Sequence, residues 1–341
     1  MREEYELEVL EKYDIEVKGT RRIRGAFFCD TNEGTMLLKE TKMSARRASL
    51  LYSVLSRLEK RQGLRVDTPV FAGDGELLVT SADGTVYMLK RWFQGRECDI
   101  RQDAEVERAA GKLGILHRET GSRELWEPEE GGAGIGAGAG GTARDPEEEI
   151  RRHNRELKKV RSFIRGRTVK NEFESIFLEN FENMYRTAEL VLERMQDSGC
   201  GRLFRDSIRD GCLVHGDYNY HNLLVIREDM AVTGFEHIHV DVQADDLYYF
   251  MRKVMEKHRW KRNTGQRLIE AYEEERKLHP AELEYIGLCL AYPEKFWKTA
   301  SSYYHSNKAW IPEKSVEKLK LAVRQNEEKY GFLEDLFSLR F

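Results

Sequence analysis

The stretch that most constrains this 341-residue chain is an octapeptide, His215-Gly216-Asp217-Tyr218-Asn219-Tyr220-His221-Asn222. Cys212-Leu213-Val214 precedes it, Leu223-Leu224-Val225-Ile226 follows, and Ala231-Val232-Thr233 lies just beyond. Apolar runs this short, bounded by polar residues, read as short buried strands. The octapeptide is then a loop held at both ends. Asp217 and Asn222 stand five residues apart, so a loop that folds back aims both side chains at one place. A carboxylate there accepts a hydrogen bond from a hydroxyl, and a carboxamide oxygen suits a hard cation. A His-x-Asp pair alone reads as an ordinary polar turn. The whole string, between a helical region and a β-hairpin, argues for the functional reading.

Ahead of the loop the hydrophobic period changes several times. Residues 1–20 are expected to open with a helix carrying Leu7, Leu10 and Tyr13 on one side. Arg22 to Asp30 reads as one strand, Thr31-Asn32-Glu33-Gly34 as a turn, and Thr35 to Glu40 as a second strand. Leu50, Leu51, Val54, Leu55 and Leu58 recur at helical spacing within 44–62. Short strands are expected at Val70–Ala72, Leu77–Thr80 and Val86–Lys90, separated by the turn dipeptides Asp74-Gly75 and Asp83-Gly84. Residues 103–118 read as a helix. From Asp145-Pro146 onward the pattern is mostly helical, with one long helix or a pair over 146–200 and several more over 245–341. Between these regions, 131–141 is almost entirely Gly and Ala, so about 121–147 is expected to be a disordered surface insertion. It lacks both the Gly-Lys-Ser/Thr ending and the preceding strand of a phosphate-binding loop.

Charge and composition narrow the classes. The 56 basic and 60 acidic residues leave a formal net charge of -4, which gives no electrostatic support for a nucleic-acid partner. Five cysteines without a C-x-x-C pair argue against a disulfide framework or a cysteine zinc site, and for reduced thiols. The charged start Met1-Arg2-Glu3-Glu4 has no apolar signal segment, and no run approaches the ~20 apolar residues of a membrane span. The expectation is a soluble cytoplasmic protein that engages neither membrane nor nucleic acid.

The spacing His215-x-Asp217-x4-Asn222 is that of the protein-kinase catalytic loop, with Gly216 in place of Arg. The form His-Gly-Asp-x4-Asn resembles that of aminoglycoside phosphotransferases, choline kinases and their relatives. More closely, the chain is similar to the CotS-type spore coat proteins of endospore-forming bacteria. The resemblance rests on 215–222, on Asp245-Asp246-Leu247 through Lys257, and on Tyr292-Pro293-Glu294-Lys295-Phe296-Trp297-Lys298. Tyr303-Tyr304 with Ser306-Asn307-Lys308, Lys170-Asn171-Glu172-Phe173-Glu174, Gly34 through Glu40 and Gly95-Arg96-Glu97-Cys98-Asp99 add to it. It covers nearly everything except the Gly-rich insertion.

The resemblance implies an α+β, bilobal protein-kinase-like fold: a small β-rich N-lobe over 1–95 and a large, mostly helical C-lobe over 96–341. It implies ATP and Mg²⁺ as cofactors, a hydroxyl acceptor, other spore coat proteins as partners, and a path from the mother-cell cytoplasm to the spore coat. Asp217 then matches the catalytic base, Asn222 a metal ligand, and His215 the motif histidine. Lys39 matches the strand lysine that pairs with the α/β-phosphates, with Glu59 the one helix glutamate available to it. Backbone around Trp92 and Phe93 matches the adenine hinge. Asp246 matches the residue that braces the loop, with Asp245 as a helix-cap alternative.

One position departs from the pattern. The second metal ligand of a kinase, an Asp one hairpin after the loop, is Gly234 in Val232-Thr233-Gly234-Phe235-Glu236. Either Glu236 or Asp241 supplies a displaced carboxylate, or the site no longer transfers phosphoryl groups. His237-x-His239 reads as a structural pair rather than part of a zinc site. Three functions therefore compete: a kinase-like coat protein with a degenerate site, an active small-molecule phosphotransferase acting on an aminoglycoside, choline or a sugar, and a catalytically dead scaffold.

Overall fold

The computed structural model describes residues 2–23, 25–61, 63–126, 143–306 and 313–341. Two compact units partition the chain. One comprises Met1–Thr142, Asp210–Asp246 and Ala271–Arg276; the other comprises Ala143–Arg209, Leu247–Glu270 and Lys277–Phe341. The fold class is α+β.

In the first unit, helix α1 (Arg2–Leu10) leads into strands β1 (Val17–Ile23), β2 (Ala26–Thr31) and β3 (Gly34–Glu40), then helix α2 (Ala45–Leu58) and strands β4 (Val79–Thr80) and β5 (Val86–Arg91). The five strands form one antiparallel sheet in the order β1-β2-β3-β5-β4. Alternation sets its register: along β2, Phe27, Cys29 and Thr31 are buried and their neighbours half-exposed. Phe27 and Cys29 pack with Met36, Leu38 and Leu89, and with Val9, Leu10 and Tyr13 from the opening segment.

Several expectations need correction. The opening helix stops at Leu10, and β1 begins where a helix was still expected. Leu7 is exposed while Val9 is buried, because two turns of helix present a different face once the chain bends to bring Tyr13 inward. The single strand read from Arg22 is divided by a reversal at Gly25, whose φ of 83° suits glycine, and Ile23 sits opposite Ala26. Val70–Ala72 forms no strand. Pro69 meets Lys90 in an isolated bridge, and proline has no N–H with which to extend a ladder.

Strand β6 (Arg96–Glu97), helix α3 (Asp103–Glu119) and the short helix α4 (Arg123–Trp126) follow. Trp126 is buried and its Nε1 donates to Gly211 O at 2.8 Å. At the far side of the Gly-rich run, Asp145 caps helix α5 (Pro146–Arg165) through Glu147 N, with Pro146 in the first turn. The expected insertion therefore has structured residues inside both its ends, and the run 127–142 lies outside the described residues.

Strands β7 (Leu213–Val214), β8 (Leu223–Ile226), β9 (Asp229–Val232) and β10 (His239–Val240) complete the first unit. β7 pairs with β10, whereas β8 joins β6 and β9. The octapeptide thus leaves one ladder and enters another, and its two ends are anchored independently. The boundary expected at 95/96 falls at β6, inside this unit.

The second unit is helical. Besides α5 it contains α6 (Glu172–Asp197), most of α7 (Cys200–Asp210), α8 (Ala244–Met255) and α9 (Arg262–Glu273), then α10 (Pro280–Ala291), α11 (Glu294–His305), α12 (Glu313–Arg324) and α13 (Asn326–Phe337). Its core joins α5, α6, α11 and α12, with Phe177 and Phe296 stacked at 5.0 Å. Asn171 caps α6 in a reciprocal box with Glu174. The fully buried Glu174 carboxylate also accepts from Tyr303 and Arg167. Trp297 stacks on His153 and donates to Glu156, and burial lowers the His153 imidazole to about 3. The strings 170–174 and 292–304 thus support helix ends and aromatic packing; Asn307 and Lys308 lie outside the described residues. All five cysteines are free thiols. Among the described residues no helix is long and apolar enough to cross a membrane.

Removing the α6 cap with Asn171→Ala is expected to lower unfolding free energy by about 1 kcal/mol. Urea denaturation checks this, and an unchanged midpoint would contradict the role given to the cap.

Candidate active site

One buried carboxylate sets the start of the loop. Asp246, near the start of α8, accepts His215 N at 2.6 Å and Gly216 N at 3.0 Å. His117 of α3 adds a third bond at 3.2 Å. Burial works to raise the Asp246 carboxyl, but the bond from His117 and the two nearby imidazoles hold it below the usual range. The other ring nitrogen of His117 bonds Tyr272 Oη at 2.8 Å, and Arg276 donates to that same oxygen.

His215 is fully buried. Its Nδ1 accepts from Asp217 N at 3.2 Å, which leaves Nε2 to donate to Thr233 O at 3.0 Å. The imidazole thus ties the loop to the β9 end. Gly216 has φ 78°, and a Cβ there would lie 2.4 Å from His237 O. No arginine fits this backbone, which explains the change from the protein-kinase form. Tyr218 is buried and bonds Ala109 O on α3.

The Asp217 carboxylate accepts Asn219 Nδ2 at 2.8 Å on one oxygen and Asn222 Nδ2 at 3.0 Å on the other. Thr233 N donates to Asn222 O at 2.8 Å. The structure therefore brings His215, Asp217, Asn222 and Asp246 into one connected array. Asn222 Oδ1 faces Gly234: a Cβ at 234 would lie 2.7 Å from it. Gly234 also has φ 82° and ψ 36°, a left-handed conformation that aspartate adopts at a cost. The site is fitted around glycine here.

Beside Gly234 lies a group of charges. Gly234 N donates to Asp67 Oδ2 at 3.1 Å. Lys90 Nζ is 3.0 Å from that oxygen and 2.9 Å from Glu236 Oε1, while the exposed Lys39 is 3.3 Å from the same Oε1. Lys90 and Asp67 are 2% and 1% exposed, so this is a buried pair. Burial raises the Asp67 carboxyl and outweighs the pull of Lys90. For Lys90 burial acts downward, but Asp67 and Glu236 prevail and hold it above the usual range. Glu236 resists burial through Lys90 and then Lys39, which bring it down to about 2. Arg47 of α2 donates from Nη2 to both Glu236 O and Ile238 O at 2.8 Å, pinning this turn to the helix.

The remaining expected residues are placed differently. Lys39 finds its carboxylate in Glu236, while Glu59 pairs with Arg91 at 3.6 Å. Trp92 and Phe93 are half-buried; the Trp92 ring meets Phe28 edge-on, and the Trp92 backbone N–H is committed to Thr35 O. Asp241 bonds His239 and Val242 N, and Asp245 lies within the first turn of α8. No group of three or more His, Cys, Asp or Glu gathers to hold a metal among the described residues. A Mg²⁺ ion fits this donor set poorly: position 234 offers no side-chain oxygen, and two ammonium groups occupy Glu236 Oε1. Sequence reasoning missed Asp67, Lys90 and Arg47. Lys90 ends an apolar strand and looks like a solvated edge residue. Pairing with Asp67, 23 residues away, and with Glu236 makes its burial tolerable.

The family described as "Spore coat putative kinase YutH" has a model that matches residues 151–336, more than half of the chain. None of the curated proteins matches. Among solved structures, an aminoglycoside phosphotransferase from Alicyclobacillus acidocaldarius superposes with a TM-score of 0.83 at 16% identity, over 97% of this chain and 95% of that one. A spectinomycin phosphotransferase solved with AMP gives 0.64 at 13% identity, over 100% and 99%. An amicoumacin kinase solved in complex with AMP-PNP, Ca²⁺ and Ami gives 0.63 at 12%, over 96% and 94%. The fold is kinase-like.

Two outcomes follow from the charge group. Lys90→Met, which leaves Asp67 buried without its cation, is expected to cost about 3–5 kcal/mol, and Lys90→Met with Asp67→Leu to recover most of that. Equal losses in the single and double variants, measured by denaturant unfolding, would refute the coupling. Glu236 lies below its ordinary 4.5, so its stabilisation is full above that pH and lost as pH falls toward about 2. The stability gap between the native chain and Glu236→Gln is expected to be on the order of 3 kcal/mol at neutral pH and to close below pH 4.5. A gap that does not change with pH would contradict this.

Proposed function

The chain belongs to the YutH spore coat kinase family, and from that premise we propose that it is a coat component built on a phosphotransferase fold whose catalytic site is degenerate. It is made in the mother-cell cytoplasm and ends in the spore coat, among other coat proteins. The observation that carries the reading is at Gly234. The carboxylate needed to bridge Mg²⁺ to the β/γ-phosphates is missing, and the Asn222 carboxamide lies 2.7 Å from where its Cβ would be.

The parts that remain have clear chemistry. Asp217, oriented by Asn219 and Asn222, would accept the proton of an acceptor hydroxyl. His215 and Asp246 hold the loop in that orientation as positioning residues. Lys39 is the exposed cation on β3 and would meet nucleotide phosphates, with Trp92 and Phe93 near the adenine. ATP binding is therefore weak and independent of Mg²⁺ in this reading, since Asn222 alone offers a poor metal site. The intact Asp217 array favours one alternative, an active phosphotransferase acting on a small hydroxyl compound.

A thermal-shift titration with ATP, with and without Mg²⁺, separates the two. Occupancy at a hundred times Kd adds about 2.7 kcal/mol of stability. The degenerate reading expects no Mg²⁺-dependent increment at millimolar ATP, and coat assembly unaffected by Asp217→Ala. It also expects Gly234→Asp to destabilise the fold by roughly 1–3 kcal/mol without gaining Mg²⁺-dependent binding. A saturable Mg²⁺-dependent shift, with ATP turnover abolished by Asp217→Ala, would establish the active alternative instead.

A further inference from the structure

One carboxylate oxygen in the first unit receives two ammonium groups. Glu236 Oε1 lies 2.9 Å from Lys90 Nζ and 3.3 Å from Lys39 Nζ. The sheet register brings the two lysines together. Lys39 of β3 sits opposite Met88 of β5, and Lys90 is two residues further along β5, so the lysines are diagonal neighbours on one face. Two like charges meet this closely around an anion, which offsets their repulsion. Without the Glu236 carboxylate, two cationic donors would point at one place. That is an arrangement that holds a phosphate oxygen.

The three groups run from interior to solvent. The Lys90 side chain is 2% exposed, that of Glu236 25% and that of Lys39 51%. Lys90 also holds Asp67 on its inner side, at 3.0 Å. Glu236 therefore stands on the solvent side of a buried pair, where a dissolved anion could otherwise reach both ammonium groups.

The turn that carries Glu236 is fixed. Arg47 donates to Glu236 O from Nε at 3.3 Å and from Nη2 at 2.8 Å, and it also holds Ile238 O. Phe235 is fully buried, with its ring 4.5 Å from His215. Gly234 N is tied to Asp67. With its backbone held and its side chain shared by two lysines, Glu236 is a preorganised ligand rather than a loose surface chain.

We propose that the Glu236 carboxylate is an internal stand-in for phosphate: it fills the oxyanion site of Lys39 and Lys90 and excludes a polyphosphate chain, free or carried by a nucleotide. The inference rests on the degenerate reading above and gives its weak nucleotide binding a cause. An incoming phosphate must displace an anion whose partners are already in place.

Calorimetry on the full chain tests this, in metal-free buffer at constant ionic strength, with tripolyphosphate, ATP and adenosine as probes. Glu236→Gln keeps the shape of the side chain and removes its charge. It is expected to bind tripolyphosphate about tenfold or more tighter than the native chain does. Glu236→Gln with Lys39→Met has the native net charge and is expected to lose that gain. Similar gains for tripolyphosphate and ATP assign the effect to the phosphate chain alone, and a larger gain for ATP adds a contribution from the nucleoside.

Glu236→Gln is the less stable protein, so the titrations are made in the cold on material with native circular dichroism. If it fails to fold, Glu236→Asp decides: the shorter chain draws the carboxylate back from Lys39, and a gain of about threefold is expected. No gain in a folded variant, a gain that survives Lys39→Met, or an equal gain for adenosine would overturn the inference. A Mg²⁺-dependent ATP shift in the native chain would instead refute the degenerate reading, and the metal-free titrations are separate from that result.

Discussion

The ammonium of Lys90 is the contact on which the sheet side of the candidate site depends. It is buried, and it reaches two carboxylates that come from distant parts of the chain, Asp67 and Glu236. Asp67 in turn receives Gly234 N, so one charge joins β5, the segment after α2 and the turn after β9. A buried pair of this kind is costly to form and costlier to break singly. Its value is geometric: it defines where the turn at 234–236 sits, and Arg47 fastens the same turn from α2.

A second buried charge performs the equivalent task on the loop side. Asp246 takes the N–H groups of His215 and Gly216 together, and His117 offsets the cost of burying it. Between these two fixed points the loop has little freedom. His215 spans from Asp217 N to Thr233 O, and Asn222 from Asp217 to the edge of Gly234. The octapeptide is therefore a rigid bridge between two buried ionic anchors, and glycines at 216 and 234 let backbone and carboxamide approach closely.

Much of this was legible in the sequence where local chemistry decides. The octapeptide, the leucine period of α2 and the Asn171 box each announce themselves within a few residues. The kinase-like fold followed from the loop. What stayed hidden depends on partners far apart: Lys39 meets Glu236 across 197 positions, and Lys90 meets it across 146. No local pattern distinguishes the buried Lys90 from a solvated strand end. The missed break between β1 and β2 has the opposite cause, since a single Gly25 in an otherwise strand-like run carries a weak signal until its φ is known.

The absence of a carboxylate at 234 alone would fit a site that has simply decayed. The surroundings argue for accommodation instead. The left-handed backbone at 234, the carboxamide packed against it and the donation of its N–H to Asp67 are mutually consistent, and an aspartate would disturb all three. Glu236, the carboxylate two residues on, pairs with two lysines and holds a structural position. Lys39, Lys90, Asp67, Glu236 and Gly234 N satisfy one another. The bonds from Asp246, Thr233 O, Asn219 and Asn222 give the loop a structural role in this unit that does not depend on turnover.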